Sequence, residues 1–485
     1  MDILNRKDLL RPAGFLAGDW VHESSDGSVF EVSNPARAEP LAILPDFGID
    51  EVALAISSAH QAQKDWARLT GKERAQILRS WHDLIVLNAD DLAKILTAEM
   101  GKPLKEAKAE VLYGASYIEW FAEEAKRVYG ETIPGHLRDK RIIVQKQPIG
   151  VVAAITPWNF PNAMLARKIA PALAVGCAMV AKPAAETPMS ALALCVLAEE
   201  AGLPKGVLSV LPSTKAAEIG REFCDNPIVR KLTFTGSTET GRILMRQAAD
   251  QVMRTSMELG GNAPFIVFDD ADLDAAVEGA VISKFRNNGQ TCVCANRIFV
   301  QDAIYEEFSQ RLAVALRKMK VGDGFDADTD FGPLIDEKAL VKVENHVSDA
   351  VNNGARVLVG GKRHDLGRTF FEPTILTEVT KSMKIASEET FGPIAPLYRF
   401  DTVESVVEQA NDTIFGLAAY FYANDLSKVF AVSEALEFGM IGINTGSIST
   451  EVAPFGGVKQ SGQGREGSKH GVDDYLEIKY LCLSV

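Results

Sequence analysis

The sequence predicts an α/β fold: two domains built around parallel sheets, the first of them doubly wound, and a small sheet that bridges them. Three features support this architecture. Strands alternate with helices in two successive blocks, 151–248 and 264–437, and two distant segments, 141–147 and 474–484, are strand-like. A chain of 485 residues is also long for a single core and indicates two or three domains.

Before the first alternating block, residues 49–129 are predicted to be helical. Ala, Leu, Glu, Lys and Gln dominate this segment, and apolar residues recur at intervals of three and four, as in Ile77, Trp81 and Leu84. The tripeptide 101–103, Gly-Lys-Pro, interrupts the pattern, because glycine and proline disfavour a helix interior.

The first alternating block has the pattern of a dinucleotide-binding domain. Strands are predicted over 151–156, 178–181, 207–211 and 231–235, and helices over 162–175, 189–201, 214–223 and 238–248. Strands joined by helices connect through right-handed crossovers and form a parallel sheet. In the second block, strands are predicted over 264–268, 294–300 and 415–422, and helices over 273–285, 305–319 and 429–437.

Composition and charge exclude several classes of protein. Hydrophobic residues make up 47% of the chain and charged residues 24%, as in soluble globular proteins. The net charge of −14 repels phosphate backbones, so we expect no nucleic-acid partner. The N-terminus resembles no targeting signal, and the apolar stretch 171–180 is too short to span a bilayer. We therefore expect a cytoplasmic protein that does not bind membranes.

The six cysteines and seven histidines have neither the spacing of a disulfide framework nor that of metal ligands. We therefore expect no metal site. Cys292 lies in 289–294, GQTCVC, between a predicted helix and a predicted strand, where a thiol is well placed to act as an exposed nucleophile. The alternative is a buried structural cysteine, the common environment of this residue.

Two further segments suggest chemistry. Glu258 is predicted to lie in an apolar, glycine-rich turn, 257–262 (MELGGN), just before a predicted strand, where burial would raise the pKa of its carboxyl group and suit it to general-base work. Asn159 lies in the rigid segment 156–161, TPWNFP, at the carboxyl end of a predicted strand, where ligands bind and an amide can stabilise an oxyanion. A surface glutamate and a turn asparagine are the alternatives.

A third segment, 234–241 (FTGSTETG), joins a predicted strand to a helix. Gly236 and Gly241 allow close backbone approach, and the N-terminus of a helix attracts phosphate. The spacing departs from the G-x-G-x-x-G fingerprint of dinucleotide sites, so that motif does not apply strictly.

Together these segments resemble the aldehyde dehydrogenase superfamily in order and approximate spacing, and the resemblance extends over essentially the whole chain. It implies that Cys292 is the nucleophile, that Glu258 activates the deacylating water, and that Asn159 shares the oxyanion with the backbone N–H of Cys292. It implies NADP or NAD as cofactor. The implied cofactor contacts are Trp158, Lys182, Gly236, Ser237, Leu259, Glu389 and Phe391.

The resemblance also implies how the chain is divided. We expect a dinucleotide-binding domain over 1–137 and 150–260 and a catalytic domain over 261–455. The segments 138–149 and 456–485 resemble the oligomerisation element of the family, so a homo-oligomer, either a dimer or a tetramer, is expected.

Three residues resemble positions that succinate-semialdehyde dehydrogenases use to bind the distal carboxylate of the substrate: Arg167, Arg286 and Ser449. Two guanidinium groups and a hydroxyl suit a carboxylate well. Alternatively, the arginines are surface residues of their helices. Glutarate semialdehyde is the hardest rival substrate to exclude, since one methylene is worth only about 1–3 kcal/mol in a pocket.

The nucleotide preference depends on the segment 182–188, KPAAETP. Ala185 stands where NAD-preferring relatives often carry glutamate, which removes repulsion of a 2′-phosphate, and Lys182 could pair with that phosphate. Glu186 weakens this argument, but we favour NADP with some use of NAD.

Other hypotheses concern a second thiol and the class of protein. Cys294 lies two residues from Cys292, so the two thiols could form a strained regulatory disulfide, with a packing cysteine as the alternative.

A non-catalytic dinucleotide-binding relative would have lost the nucleophile or the base, and both are present. Glu258 favours hydrolysis over acyl transfer to CoA, and the two arginines disfavour neutral aldehydes.

Overall fold

A computed structural model describes residues 3–485 of the protein. Among these residues, no helix is long and apolar enough to cross a membrane. The strands are β1 Gly14–Leu16, β2 Asp19–Val21, β3 Val29–Ser33, β4 Pro40–Pro45, β5 Glu131–Ile133, β6 Lys140–Pro148, β7 Val151–Ile155, β8 Ala178–Lys182, β9 Leu208–Val210, β10 Val229–Thr235, β11 Arg254–Glu258, β12 Ala263–Val267, β13 Ala295–Gln301, β14 Arg356–Val359, β15 Thr374–Thr377, β16 Ile394–Phe400, β17 Ala418–Tyr422, β18 Met440–Ile443, β19 Gly462–Gln463 and β20 Leu476–Ser484. The helices are α1 Ile49–Trp66, α2 Gly71–Leu87, α3 Ala89–Met100, α4 Leu104–Glu124, α5 Pro161–Val175, α6 Pro188–Glu200, α7 Ala216–Asp225, α8 Thr238–Ala249, α9 Leu273–Phe285, α10 Tyr305–Leu316, α11 Glu337–Asn352, α12 Lys384–Ser387, α13 Val403–Asn411 and α14 Leu426–Ala435.

The first sheet has the strand order β19-β11-β10-β7-β8-β9-β1-β2. Its five central strands, β11 to β9 in this order, are parallel, and β19 and β1 join the two edges antiparallel. Alternate residues of β7 face opposite cores: Val152 packs in the cluster of α2 to α6, and Val151 in the cluster of α1, α7 and α8. The sheet is therefore covered by helices on both faces, which confirms the doubly wound prediction.

The second sheet has the order β14-β15-β16-β13-β12-β17-β18 and is parallel except for β14. Its two faces also carry separate cores, with Phe265 and Val267 of β12 on one side and Ile266 on the other. The predicted second α/β block is confirmed, and its sheet gains four strands that the sequence pattern did not indicate: β14, β15 and β16 from residues 356–400 on one side and β18 on the other.

The third sheet is small and joins distant parts of the chain. Strand β20 pairs antiparallel with β6 along its whole length, from Leu476 opposite Pro148 to Ser484 opposite Lys140, which confirms the predicted pairing of the two segments. Strand β5 extends this sheet, and β19 lies instead in the first sheet against β11. A separate hairpin, β3 and β4, precedes α1.

The two large sheets meet where their strand ends face a common cleft. In the first sheet, Ile155 at the end of β7 is paired with Phe234, and Thr235 at the end of β10 is paired with Glu258 at the end of β11. The carboxyl ends of these strands therefore lie side by side, which is where α/β sheets bind ligands. In the second sheet the amino ends of β12 and β13 lie side by side, since these strands are paired from their first residues, Ala263 and Ala295.

The structure corrects the predicted environment of Glu258. This residue is the last one of a parallel strand, β11, and does not lie in the turn that follows. The strand escaped prediction because its sequence, RTSME, lacks the apolar run or regular alternation that indicates a strand.

Candidate active site

Cys292 lies where two cavities meet. One cavity, of about 280 Å³, faces the strand ends of the first sheet, and the other, of about 180 Å³, extends toward α4 and α5. Cys292 and Met164 line both. A group bound in either cavity therefore reaches the same sulfur. We call them the strand-end cavity and the helix-side cavity.

The loop that carries Cys292 is held from both sides. Before it, Asn287 and Asn288 adopt left-handed conformations, with φ of 53° and 56°, which tighten the turn that leaves α9. After it, Val293 accepts a hydrogen bond of 2.8 Å from the hydroxyl of Tyr420. Gly261 packs against the loop so closely that a Cβ there would lie 2.5 Å from the carbonyl oxygen of Cys292. The sulfur is therefore fixed against the strand-end turn that follows β11.

Two hydrogen-bond donors are available beside the sulfur. Among residues 3–485, the backbone N–H of Cys292 has no acceptor. The amide nitrogen of Asn159 donates one hydrogen to the carbonyl of Gln290, at 3.0 Å, which leaves its second hydrogen free. Asn159 is buried and lines the strand-end cavity. This pair can bind an oxygen that gains negative charge next to Cys292.

The thiol of Cys292 and a carboxyl group of the strand-end cavity, that of Glu258, both have strongly perturbed pKa values. Burial raises the pKa of Cys292 to about 11, so the sulfur carries its proton at neutral pH. Burial also raises the pKa of Glu258 well above its ordinary value. Neither carboxyl oxygen of Glu258 has a hydrogen-bond partner among the described residues, although the side chain is only 3% exposed. Such a group can accept a proton from a nucleophile in the cavity.

Most of the predicted cofactor contacts line the strand-end cavity: Trp158, Gly236, Ser237, Leu259, Glu389 and Phe391. The rings of Trp158 and Phe391 meet edge to face, with centroids 5.5 Å apart. Glu389 accepts the N–H of Gly261 at 3.1 Å, and burial raises the pKa of Glu389 to about 7. Helix α8 begins at this cavity, and the hydroxyl of Ser237 caps it by accepting the N–H of Thr240.

The other two predicted cofactor residues lie outside the lining of this cavity. Lys182 ends β8, and its ammonium group donates to the carbonyl of Pro183 at 3.1 Å. Burial lowers the pKa of Lys182 to about 8. Ala185 follows in the loop before α6 and is half-buried. Both residues therefore lie at the carboxyl edge of the first sheet, one strand away from β7.

The helix-side cavity is lined by all three predicted carboxylate-binding residues, Arg167, Arg286 and Ser449, together with Cys292. Arg167 does not lie on the surface: it is 1% exposed, pairs with Glu466 through its Nε, and has a terminal nitrogen without an acceptor. Among residues 3–485, the guanidinium of Arg286 and the hydroxyl of Ser449 also form no hydrogen bond. All three side chains therefore have unused capacity to bind an anion.

Two buried charged residues next to Arg167, Lys168 and Glu466, were not predicted from the sequence as site residues. Lys168 and Glu466 form an ion pair of 2.5 Å, so Glu466 is shared by two cations. Arg167 and Lys168 are the charged residues of α5, whose other positions are apolar or small and whose side chains are all buried. Two adjacent cations in such a helix could have indicated a buried charged cluster. No local pattern indicates the ion pairs of Glu466, because its partners are about 300 residues away along the chain.

The second cysteine of the loop has a different environment from the first. Cys294 is fully buried, its sulfur lies 3.3 Å from the ammonium group of Lys284, and both cysteines are free thiols. Among the described residues, no group of His, Cys, Asp and Glu side chains could hold a metal ion.

Comparison with known proteins agrees with this geometry. A model described as the aldehyde dehydrogenase family matches residues 20–481, and the chain belongs to that family. It is 59% identical to a succinate-semialdehyde dehydrogenase (NADP+) of Escherichia coli over 99% of this chain and 100% of that one, and 61% identical to a glutarate-semialdehyde dehydrogenase of Pseudomonas aeruginosa over 98% of each. The crystal structure of succinate-semialdehyde dehydrogenase from Burkholderia pseudomallei superimposes with a TM-score of 0.98 at 59% identity and covers 100% of both chains.

Proposed function

We propose that the protein oxidises succinate semialdehyde to succinate with NADP+ or NAD+. The observation that carries the proposal is the helix-side cavity, in which Arg167, Arg286 and Ser449 present unused donors on the far side of Cys292. An aldehyde bound to the sulfur there extends its other end toward these donors. A distal carboxylate satisfies them, whereas an alkyl chain leaves the terminal nitrogen of Arg167 and the guanidinium of Arg286 without an acceptor.

The charges around the cavity favour an anion. Glu466 faces two cations, Arg167 and Lys168, and therefore neutralises only one of them. Arg286 makes no ion pair, and its guanidinium lies 5.3 Å from the ring centroid of Phe160. The guanidinium of Arg167 likewise lies over an aromatic ring, that of Phe455, at 4.1 Å. Aromatic faces hold both guanidinium planes without using their hydrogen-bond donors.

The first chemical step is attack of Cys292 on the aldehyde carbon. Burial keeps the thiol protonated at neutral pH, so Cys292 loses its proton to water and attacks as the thiolate. The carbonyl oxygen becomes an oxyanion as the C–S bond forms. The amide of Asn159 and the N–H of Cys292 stabilise it in the resulting hemithioacetal.

The strand-end cavity fits a nicotinamide cofactor, since it combines glycine-lined backbone, the start of α8 and a buried carboxyl group at Glu389. When bound, a nicotinamide cofactor would supply the acceptor for the hydride lost in this oxidation, and Trp158, Ser237 and Glu389 would hold it. A thioester on Cys292 remains. Glu258 then takes a proton from a water molecule, which attacks the thioester and releases the acid.

For the cofactor, we propose a preference for NADP+ with some use of NAD+. Ala185 carries no negative charge to repel a 2′-phosphate, and Lys182 ends the strand that leads into the loop of Ala185. The relative from Escherichia coli is named for NADP+. Replacing Ala185 with Glu is expected to lower the ratio of kcat/KM for NADP+ over NAD+ by about tenfold or more, as one unfavourable charge contact is worth about 1–2 kcal/mol. An unchanged ratio would refute this assignment.

Glutarate semialdehyde is the second candidate substrate, because a relative with that name is as similar to this chain as the succinate-semialdehyde dehydrogenase is. The two substrates differ by one methylene, which the cavity of about 180 Å³ can accommodate. Sequence identity therefore does not distinguish between these two substrates, and kinetic measurements with both are needed.

The test is formation of reduced cofactor by the wild-type protein with three aldehydes: succinate semialdehyde, glutarate semialdehyde and butanal. We expect kcat/KM for succinate semialdehyde to exceed that for butanal by about 100-fold or more, the worth of two charge-assisted hydrogen bonds. A preference for the five-carbon semialdehyde would favour the second candidate. Equal turnover of butanal would exclude carboxylate recognition altogether.

Three further proposals concern the whole molecule. We propose three parts of the chain: a dinucleotide-binding domain over 1–137 and 150–260, a catalytic domain over 261–455, and an oligomerisation element over 138–149 and 456–485. We also propose that the protein is cytoplasmic and forms a homo-oligomer; assembly is favoured by the exposed apolar side chains of Ile478, Tyr480 and Leu483 on β20. Light scattering of the intact protein tests the assembly.

Cys294 is proposed to protect Cys292 by forming a disulfide with it, when peroxide takes two hydrogens from the two thiols and becomes water. Inactivation by peroxide should then be reversed by thiols in the wild type and not in Cys294→Ala. If thiols fail to reverse the inactivation of the wild type and of Cys294→Ala alike, the proposed disulfide is wrong.

A further inference from the structure

A buried ion pair at the start of α4 is not used by the proposed chemistry. Lys102 lies in the segment before the helix and Glu110 within it. Their side chains are 0% exposed, and the ammonium nitrogen lies 2.6 Å from the carboxylate oxygen. Burial of two charges costs desolvation energy, and replacement of such a pair by apolar groups is often neutral for stability. The pair therefore needs an explanation other than stability.

Its remaining hydrogen bonds go to one active-site segment. The ammonium group of Lys102 donates to the backbone carbonyl of Asn159 at 2.7 Å and lies 3.7 Å from the ring centroid of Phe160. The second oxygen of Glu110 accepts the backbone N–H of Asn162 at 3.0 Å. The pair thus holds the segment around Asn159 at both ends, where it enters α5.

A second connection from α4 reaches the nucleophile loop. Glu106 accepts the backbone N–H of Asn287 at 2.8 Å, and this bond supports one of the two left-handed residues of that loop. The side-chain amide of Asn287 donates to the carbonyl of Asn159 and to that of Gln290, at 3.1 Å each. The carbonyl of Asn159 therefore has two donors, one anchored on α4 and one on the loop that carries Cys292.

We infer that Lys102 and Glu110 are positioning residues, which set the place of the Asn159 amide relative to the sulfur of Cys292. The pair fixes the peptide of Asn159, and the side chain of Asn159 follows. This inference rests on the proposed role of Asn159 as an oxyanion donor. Misplacement of a catalytic group by about 1 Å can cost about 100-fold in rate, so a small shift of this peptide is sufficient to lower turnover.

The variant to test is the double replacement Lys102→Met with Glu110→Gln. It removes both charges of the pair, whereas Lys102→Met alone leaves the carboxylate of Glu110 buried without its partner. The double variant is expected to fold and to lose about 10- to 100-fold in kcat, with little change in KM for NADP+. Lys105→Met is the matched control, since Lys105 is an exposed residue of the same helix that pairs with Asp330.

A positioning role is separated from a structural one by repeating the double replacement in an Asn159→Ala background. If the pair acts through Asn159, it costs 10- to 100-fold in kcat in the wild type and less than about twofold once the amide is absent. Equal losses in the two backgrounds would overturn the inference. So would an unchanged kcat in the wild-type background. If Asn159→Ala itself retains full activity, the proposed role of Asn159 fails, and this outcome is distinct from the other two.

Discussion

The two cavities that meet at Cys292 are built from different parts of the fold. The strand-end cavity is lined largely by turns that follow parallel strands, and its polar groups include backbone and two carboxyl groups, those of Glu258 and Glu389. The helix-side cavity is lined by side chains of α4 and α5 and of two loops, and its distinctive groups are Arg167 and Arg286. The difference suggests that oxidation chemistry and substrate choice have separate structural origins.

The cavities also differ in their charged groups: burial raises the pKa of carboxyl groups in both, including Glu106 and Glu110 of the helix-side cavity, but only the helix-side cavity is lined by arginines. In the strand-end cavity burial raises the pKa of Glu389 to about 7 and raises that of Glu258 well above its ordinary value, which favours the neutral form of both carboxyl groups. In the helix-side cavity burial lowers the pKa of Arg167, but attraction to Glu466 and to further acidic groups around it, among them Glu258, together outweigh this cost and hold the pKa well above its ordinary value. Replacements on the first side should therefore affect every aldehyde, and those on the second only charged ones.

The largest effect is expected for Cys292→Ser, since this sulfur serves both cavities. Loss of the nucleophile should lower kcat by about 10⁴-fold or more for succinate semialdehyde and for butanal alike. Binding of NADPH, followed by its fluorescence, should remain within about twofold, because the strand-end cavity keeps its shape. Retention of activity toward one aldehyde but not the other would contradict a shared nucleophile.

Glu258→Gln should affect the second half of the reaction most. A general base contributes about 10²–10⁴-fold, so we expect steady-state turnover to fall by that factor, with a burst of reduced cofactor that approaches one per site. The raised pKa means that the proton-accepting carboxylate becomes more abundant as pH rises. Wild-type turnover should therefore increase with pH below that pKa, and the variant should lose this dependence.

Arg286→Met tests the difference between the cavities directly. In the described part of the chain, residues 3–485, Arg286 forms no ion pair, so its replacement should change recognition without disturbing the core. We expect kcat/KM for succinate semialdehyde to fall by about 10- to 100-fold, the worth of one charged hydrogen bond, with that for butanal unchanged or improved. Equal losses for both aldehydes would show that Arg286 does not discriminate between them. Arg167 is a poorer test because its loss also leaves Glu466 short of a partner.

Ser449→Ala should have the smallest effect. A neutral hydroxyl contributes about 0.5–1.5 kcal/mol, which corresponds to a loss of about two- to tenfold in kcat/KM for the carboxylated aldehyde. Thr445→Val is a suitable control, because that hydroxyl lies in the same loop but is bonded to the backbone of Ser447. A loss for butanal as large as that for succinate semialdehyde would assign Ser449 to the architecture of the loop instead.

The parts of the structure that were predictable are those with a local pattern. The alternating strands and helices from β7 to α9 follow hydrophobic periodicity, and the turns around Asn159 and Cys292 carry distinctive residues. The strand β11 was not predicted, because its polar sequence is stabilised by neighbours β10 and β19 and not by its own pattern. The ion pairs of Glu466 and Glu110 were not predicted either, since they join residues whose proximity depends on the complete fold.

The most direct test of the account is mass spectrometry of Glu258→Gln after it is mixed with succinate semialdehyde and NADP+. Without the base, the thioester should accumulate, so the intact protein should gain the mass of one succinyl group, located on the peptide that contains Cys292. The same mixture without NADP+ is the control and should show no stable adduct. Absence of the acyl group with NADP+ present, or its location on a residue other than Cys292, would contradict the proposed mechanism.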